Sequence, residues 1–153
     1  MTRADYPLLR RWLAERHVVG IWGSPDEEIA LIEREIDGGD CQMHIVHAET
    51  PIGYIQNWDA HAEGHYRDLP RGTRAIDTLL GEPGSLGKGH AKAYTRLYSD
   101  QLLSQGAPMV VADPRLTNSR GIAMYRAAGF RPHAQRRCET GEMVQILTYA
   151  PSS

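Results

Sequence analysis

A glycine-rich segment lies between an apolar run and an amphipathic run, and this order limits the possible folds more than any other feature of the chain. The segment is GSLGKGHA, residues 84–91; TRAIDTLLGE precedes it and HAKAYTRLYSDQLLSQG overlaps its end. Glycine adopts positive φ and lets the backbone approach a ligand closely. A helix N-terminus offers unpaired N–H groups at the positive end of the helix dipole. A strand, a glycine loop and a helix in this order predict an anion site in an α/β fold.

Two familiar phosphate loops do not fit the segment. A Walker A loop has four residues between its glycines and then Lys followed by Ser or Thr. Here two residues separate Gly84 from Gly87, and Gly89 follows Lys88. The pattern G-x-G-x-x-G begins at Gly87, but Lys92 occupies its third glycine position. Taken alone, the segment also fits an ordinary glycine-rich connection.

Hydrophobic periodicity and turn residues predict the remaining elements. Helices are predicted over residues 5–19, 25–38, 90–106 and 118–130. Strands are predicted on either side of a turn at 49–51, over 73–82 and 108–114, and as a hairpin within 134–150; residues 61–71 read as a loop. We therefore expect one domain over residues 1–153, with a mixed α/β sheet covered by helices.

The net charge of −2 conceals an asymmetry between the two parts of the chain. Residues 1–82 contain 15 acidic and 8 basic side chains, and residues 83–153 contain 4 acidic and 9 basic ones. Opposite fields can attract unlike ligands, a cation to one part and an anion to the other, although two ordinary solvated surfaces would give the same counts. Because no basic cluster occurs, we expect no nucleic-acid partner. With no signal-peptide pattern and no apolar run near ~18 residues, we expect a cytoplasmic protein with no membrane partner.

The cysteines and histidines do not form a recognisable metal or redox pattern. The positions of Cys41 and Cys138 match neither a metal-ligand spacing nor a redox spacing, and both are interpreted as reduced thiols. His61 and His65 lie four residues apart, but their surroundings predict a loop and no third ligand has suitable spacing. We expect no metal site.

Several motifs in order resemble the GNAT acetyltransferases. The strand is followed by SLGKGHA, a helix, a second strand and N-x-x-x-I-x-x-Y-x-x-x-G-F, which begins at Asn118. Further motifs are similar to bacterial aminoglycoside 6′-N-acetyltransferases: H-x-V-x-x-W-G at 17–23, I-G-Y-x-Q at 52–56, G-x-R-x-I-D at 72–77, and L-G-K-G followed by D-P-x-x-x-N within 86–118. Residues 59–70 match no pattern of that group. The resemblance implies a central sheet splayed in the middle, with helices on both faces.

The resemblance also implies acetyl-coenzyme A as co-substrate and a set of residues that bind it. Backbone N–H groups near the end of the third strand would face the acetyl carbonyl, the glycine loop would bind the pyrophosphate, and Asn118 would contact the pantetheine arm. The implied residues are Leu79, Leu80, Ser85, Leu86, Gly87, Lys88, Gly89, His90, Ala91, Asn118 and Tyr125. In this interpretation residues 1–82 are mainly the acceptor side and residues 83–153 mainly the acetyl-coenzyme A side.

Two carboxylates are candidates for the acceptor side. Asp77 stands in the apolar run RAIDTLL, where an unpaired buried charge would be costly. It is either a functional carboxylate that holds an ammonium and accepts its proton, or a solvent-facing residue or a partner of Arg74. A carboxylate is a weak base for an amine, so burial or a water relay must assist it. Asp113 ends a short apolar strand, where α/β sheets tend to place ligands, but it also suits a cap for the turn at Pro114.

For the aromatic and amide candidates too, a role in the site stands beside a packing role. Trp22 suits either the wall of a sugar site or a packed position at a helix end, and Gln56 and Trp58 match or neighbour acceptor-side motifs. Tyr125 is the candidate general acid for the departing thiolate, since a phenol is protonated at neutral pH; the alternative is a tyrosine packed on the sheet.

These residues predict an N-acetyltransferase that acts on a primary amine by direct attack in a ternary complex. The preferred acceptor is the 6′-amine of an aminoglycoside, a polycation. The alternatives are another small amine, a siderophore hydroxylamine, or a non-catalytic acyl-coenzyme A-binding domain. We expect a monomer or a homodimer.

Overall fold

The computed structural model describes residues 1–151 and shows a mixed α/β architecture within them. The four α-helices of this described range are α1 (Tyr6–Leu13), α2 (Pro25–Glu35), α3 (His90–Ser104) and α4 (Ser119–Ala127). The strands are β1 (Gln42–His47), β2 (Pro51–Asp59), β3 (Arg74–Leu80), β4 (Val110–Ala112), β5 (Arg131–Arg137) and β6 (Met143–Tyr149). They form one sheet in the order β1-β2-β3-β4-β6-β5. The predicted fold class is confirmed.

The parallel pairing of β3 with β4 explains why a helix follows the glycine loop. β3 pairs with β4 in parallel through Arg74 and Ala75, whereas β1 with β2, β4 with β6, and β5 with β6 are antiparallel. A parallel pair needs a crossover connection, usually a helix. α3 is that crossover, and its N-terminus follows the end of β3 directly after the glycine loop.

The chain divides into two compact units, of which the first comprises Met1–Asn57 and Asp77–His90. Its core is a cluster of apolar side chains from α1, α2, β2 and β3, with Trp12 and Tyr54 the largest. α2 begins as the sequence predicts: the Ser24 hydroxyl accepts from the Glu27 N–H at 3.2 Å, Pro25 is the first helical residue, and acidic side chains fill the first turn.

The second unit comprises Trp58–Ile76 and the chain from Ala91 onward. One of its apolar clusters joins α3, α4, β4 and β6, and the other joins residues 60–69 to β4 and β6. The predicted loop at 61–71 is therefore partly ordered into short 3-10 turns at Ala60–Ala62 and Gly64–Tyr66. Tyr66 and Leu69 anchor it, with 0% and 5% of their surface exposed.

Two helix predictions differ from the structure. The first helix ends at Leu13 rather than near Val19, because the chain continues in turns: the Glu15 N–H donates to the Trp12 carbonyl and the Val18 N–H to the Glu15 carbonyl. On α3 the periodicity predicts a buried face of Ala93, Tyr94, Leu97, Tyr98 and Leu102. The fully buried residues are instead Thr95, Ser99 and Leu102, while Leu97 is 69% exposed.

Candidate active site

The glycine loop has the backbone conformation that an anion site requires. A 3-10 turn at Pro83–Ser85 leaves β3, Gly87 and Gly89 have φ of 74° and 79°, and α3 begins at His90. A Cβ at Gly87 or Gly89 would meet no atom within 4 Å, so the backbone conformation and not packing favours glycine there. The first N–H groups of a 15-residue helix therefore follow a loop that lets a ligand approach its backbone.

The side chains around this loop differ in exposure. Ser85, Leu86, His90 and Ala91 are half-buried, whereas Lys88 and Lys92 are exposed. Both lysines are available to the phosphates of a coenzyme. Arg115 on the segment after β4 is paired with Glu142, with its Nε 2.5 Å from a carboxylate oxygen.

The end of β3 is fixed by a tryptophan that sequence reasoning did not identify as part of the site. A Cβ at Gly81 would lie 2.1 Å from Cγ and Cδ2 of Trp12, so only glycine fits against the ring. The Trp12 indole N–H donates to Oε1 of Glu82 at 2.9 Å, and the Arg11 guanidinium donates to the same oxygen. The usable signal is a glycine directly after an apolar strand, which often marks a close approach of another group.

Asp77 lies on β3, seven residues before Gly84, the first residue of the glycine loop, and the segment Asp77–His90 belongs to one compact unit. The residue is half-buried, and its Oδ1 accepts a hydrogen bond from the Thr78 N–H at 3.0 Å. Thr78 in turn donates its hydroxyl to the Tyr54 carbonyl at 2.7 Å, which joins β3 to β2. One oxygen of the Asp77 carboxylate is thus engaged by the backbone of its own strand.

Leu79 and Leu80 continue the strand towards the loop. Leu79 is 5% exposed and belongs to the core of the first unit, as the packing interpretation also requires. Leu80 is half-buried, and its carbonyl accepts from Nε2–H of His17 at 2.7 Å. His17 is the first residue of the motif H-x-V-x-x-W-G, so the structure gives that histidine a role in holding the end of β3.

Trp22 and Gln56 meet at Tyr54. The Trp22 ring packs edge-on against the Tyr54 ring, with centroids 6.0 Å apart and planes at 78°. The Tyr54 hydroxyl donates to Oε1 of Gln56 at 2.7 Å, and the Cys41 thiol lies 3.6 Å from the same oxygen. Since the amide oxygen is engaged, Gln56 has its NH₂ group left to offer, which suits a hydroxyl or ether oxygen rather than an ammonium.

Residues 60–66 bring Trp58 and Asp113 into one cluster of the second unit. The Trp58 indole donates to Oε1 of Glu63 at 2.6 Å, and Nε2–H of His65 donates to Oδ2 of Asp113 at 2.8 Å. Burial raises the pKa of the Glu63 carboxyl, against the opposing effect of the Trp58 bond. The hydrogen bond to Asp113 raises the pKa of His65, despite the opposing desolvation.

Asn118 and Tyr125 lie about two turns apart on or beside α4. The Asn118 side chain accepts from the Gly121 N–H at 2.9 Å and caps the helix, as predicted. Tyr125 is 4% exposed and packs edge-on against Phe130, with centroids 5.2 Å apart. The packed interpretation of Tyr125 is therefore correct for its ring, and the role of its hydroxyl stays a prediction.

Within residues 1–151, no group of three His, Cys, Asp or Glu side chains is arranged to hold a metal ion. His61, four residues before His65, donates from Nε2 to the Leu69 carbonyl at 2.7 Å and so braces the loop. In the same described range no helix combines the length and the apolar character that crossing a bilayer demands.

Sequence reasoning missed Glu63 and considered His65 only as a metal ligand, because residues 59–70 match no motif. Nothing in their local pattern identifies a partner, since Asp113 is 48 residues away from His65 along the chain. The detectable signal is the burial of Tyr66 and Leu69, two apolar side chains within a polar segment, which fix the loop against the sheet.

Comparison with known proteins supports the same chemistry. The family model for an acetyltransferase (GNAT) domain matches residues 2–138. An aminoglycoside N(6′)-acetyltransferase type 1 from Klebsiella pneumoniae is 29% identical over 160 residues, covering 96% of this chain and 79% of the relative.

Two solved aminoglycoside acetyltransferases share the fold of this chain. AAC(6′)-Ib in complex with coenzyme A and kanamycin superposes with a TM-score of 0.82 at 26% identity, covering 98% of this chain and 91% of that one. The aminoglycoside N(6′)-acetyltransferase of Legionella pneumophila shares the fold, with a TM-score of 0.78 at 18% identity, covering 98% and 88%. Because the family model matches residues 2–138, most of the chain, this chain belongs to the GNAT acetyltransferases.

Proposed function

We propose that the chain transfers acetyl from acetyl-coenzyme A to the 6′-amine of an aminoglycoside. The observation that carries the proposal is that one continuous segment, Asp77–His90, contains both the Asp77 carboxylate of β3 and the glycine loop. The whole segment lies within one compact unit. Relatives that are named aminoglycoside 6′-N-acetyltransferases align over 96% of the chain. AAC(6′)-Ib has been solved with acetyl-coenzyme A.

The residues suit direct transfer. The acceptor nitrogen attacks the thioester carbon, the new C–N bond forms, and the C–S bond breaks. Asp77 holds the ammonium form of the acceptor and, directly or through water, takes the proton whose loss gives the nitrogen its attacking lone pair. Backbone N–H groups at Leu79 and Leu80 stabilise the charge that develops on the carbonyl oxygen. Tyr125 donates its phenolic proton to the departing sulfur, and water carries the second proton of the attacking nitrogen to the phenolate.

The remaining candidates divide between the two substrates. Residues 85–91 bind the coenzyme pyrophosphate at the N-terminus of α3, with Lys88 beside it and Asn118 on the pantetheine arm. Trp22, Gln56, Trp58 and Asp113 face the acceptor, which is a small polycation and not a nucleic acid. The acting species is a monomer or a homodimer.

Thiol release from acetyl-coenzyme A tests the acceptor. Kanamycin, which carries a 6′-amine, should support turnover, and a close analogue with a 6′-hydroxyl should not. Turnover with neither compound, while the protein still binds coenzyme, would refute the aminoglycoside proposal and direct the search to hydroxylamines and other small amines.

Asp77→Asn tests the carboxylate. We expect kcat to fall by about 10²- to 10³-fold because general-base catalysis contributes on that scale, while the affinity for coenzyme A measured by calorimetry is kept. Asp26→Asn is the matched control, since Asp26 belongs to the same unit and its side chain is 89% exposed. If Asp77→Asn turns over at the wild-type rate, the role assigned to Asp77 is wrong.

A further inference from the structure

His65 is held against Asp113 more firmly than a surface histidine would be. Its side chain is 4% exposed and that of Asp113 is 26% exposed, with 2.8 Å between Nε2 and Oδ2. The His65 ring lies on the Tyr66 ring at a centroid distance of 4.0 Å, and Tyr66 is fully buried. The Arg136 guanidinium donates to the His65 carbonyl at 3.0 Å. The imidazole therefore has one stable position, from which it contacts a partly exposed carboxylate.

The charges that face His65 favour its protonation. Asp113 follows β4, Glu63 stands on the same loop, and Glu139 on the turn between β5 and β6 accepts from the Gly64 N–H at 2.7 Å. All three carboxylates raise the pKa of His65, Asp113 most of all through its hydrogen bond, while desolvation lowers it. Arg136 is the cation at this position, and it contacts the backbone of His65 rather than the ring.

We propose that His65 is a positioning residue that orients the Asp113 carboxylate for the acceptor and, once protonated, competes with the acceptor's ammonium for that carboxylate. The inference rests on the proposed function, in which Asp113 faces the acceptor. Oδ2 is bound by His65, and a carboxylate accepts at both oxygens. A neutral imidazole leaves the pair with one negative charge, and an imidazolium leaves it with none. A polycation therefore binds more weakly when His65 is protonated.

The direction of the pH effect follows from this competition. The acceptor KM should be high below the pKa of His65 and fall as the pH rises through it. By linkage, a bound polycation must lower the pKa of His65 by the same coupling free energy. A purely structural pair would show neither effect.

His65→Gln tests the proposal, since a Gln amide can still donate to Asp113 but cannot become charged. At saturating acetyl-coenzyme A, we expect the kanamycin KM of His65→Gln to be about fivefold below the wild-type value at pH 6, within the usual range of coupling, and equal to it at pH 8.5. The amines of kanamycin titrate in both proteins alike, so the ratio of the two KM values isolates His65.

His133→Gln is the matched control. His133 also donates to an aspartate of the second unit, Asp68 at 3.2 Å, but its side chain is 36% exposed. The kanamycin KM of His133→Gln should equal the wild-type value at every pH. Parallel profiles of wild type and His65→Gln, or a loss confined to kcat, would overturn the proposal and leave the acetyltransferase function standing.

A second readout does not depend on turnover. In a nuclear magnetic resonance titration, the pKa of the His65 imidazole should fall in Asp113→Asn and also when kanamycin is added to the wild type. If kanamycin is not acetylated but still lowers this pKa, the inference holds for binding and only the proposed function fails. No change in the pKa on adding kanamycin overturns the inference, whether or not turnover occurs.

Discussion

Gly81 shows how one residue without a side chain can position an active-site segment. A methyl group there would lie 2.1 Å from two atoms of the Trp12 ring, which is fully buried. We expect Gly81→Ala to lower the free energy of unfolding by about 1–3 kcal/mol, the usual cost of overpacking a core, as measured by urea denaturation. Gly84→Ala is the matched control, because a Cβ at Gly84 meets no atom within 4 Å. Equal stabilities of the two variants would show that Trp12 moves aside.

The sequence predicts the backbone conformation of the glycine loop but not the contact of Trp12 with β3, and the reason is physical. The positive φ of Gly87 and Gly89 could be expected, since a glycine loop before a helix is a local pattern. The contact of Trp12 with the end of β3 could not, because its partner Glu82 lies 70 residues along the chain. Local patterns encode backbone conformation, whereas tertiary contacts between distant residues leave no local signal.

The helix α3 shows the same limit at the level of an element. Its bounds are predicted well by the glycines that precede and follow it, but its buried face is not, because small polar side chains occupy it. The Ser99 hydroxyl donates to the Thr95 carbonyl at 2.8 Å, while Oγ1 of Thr95 is buried with no hydrogen-bond partner in residues 1–151. An apolar periodicity cannot identify a face made of Thr and Ser.

Thr95→Val should therefore stabilise the protein. The substitution replaces an unpartnered buried hydroxyl by a methyl group, which removes a desolvation cost of about 1 kcal/mol, and Val and Thr have similar helix propensities. The free energy of unfolding in urea measures the change. Ser99→Ala provides the contrast, because it deletes a hydroxyl that has a partner, and it should leave stability unchanged or slightly lower. A loss of stability in Thr95→Val would mean that the hydroxyl has a partner in solution.

The contacts of the loop at 60–66 are the ones that sequence patterns predict least well. The same loop contacts Trp58 and Asp113, two candidates of the proposed acceptor side. Its polar composition predicts a loop correctly, but not that Tyr66 and Leu69 fix it against the sheet and that His65 and Glu63 meet Asp113 and Trp58. The order of elements and the glycine loop follow from family-wide patterns. The proposed acceptor side also includes Glu63 and His65, which no such pattern contains.

For the molecule as a whole, the unequal charge of the two parts of the chain predicts how turnover depends on salt. Residues 1–82 carry a net charge of −7 and residues 83–153 one of +5. A field of this kind attracts a polycation over a distance set by the Debye length, which falls from about 10 Å at 0.1 M to about 3 Å at 1 M salt. The KM for an aminoglycoside should rise severalfold across that range.

The measurement separates this attraction from a general effect of salt. Acetyl-coenzyme A is kept saturating, so its own charge does not limit the rate, and kcat should change little because the chemical step takes place with both substrates already bound. An acceptor with fewer amines provides the control and should show a proportionally weaker dependence of KM on salt. If both acceptors respond alike, the charge of the chain does not steer the acceptor, and short-range contacts such as those proposed for Asp77 and Asp113 must supply its affinity.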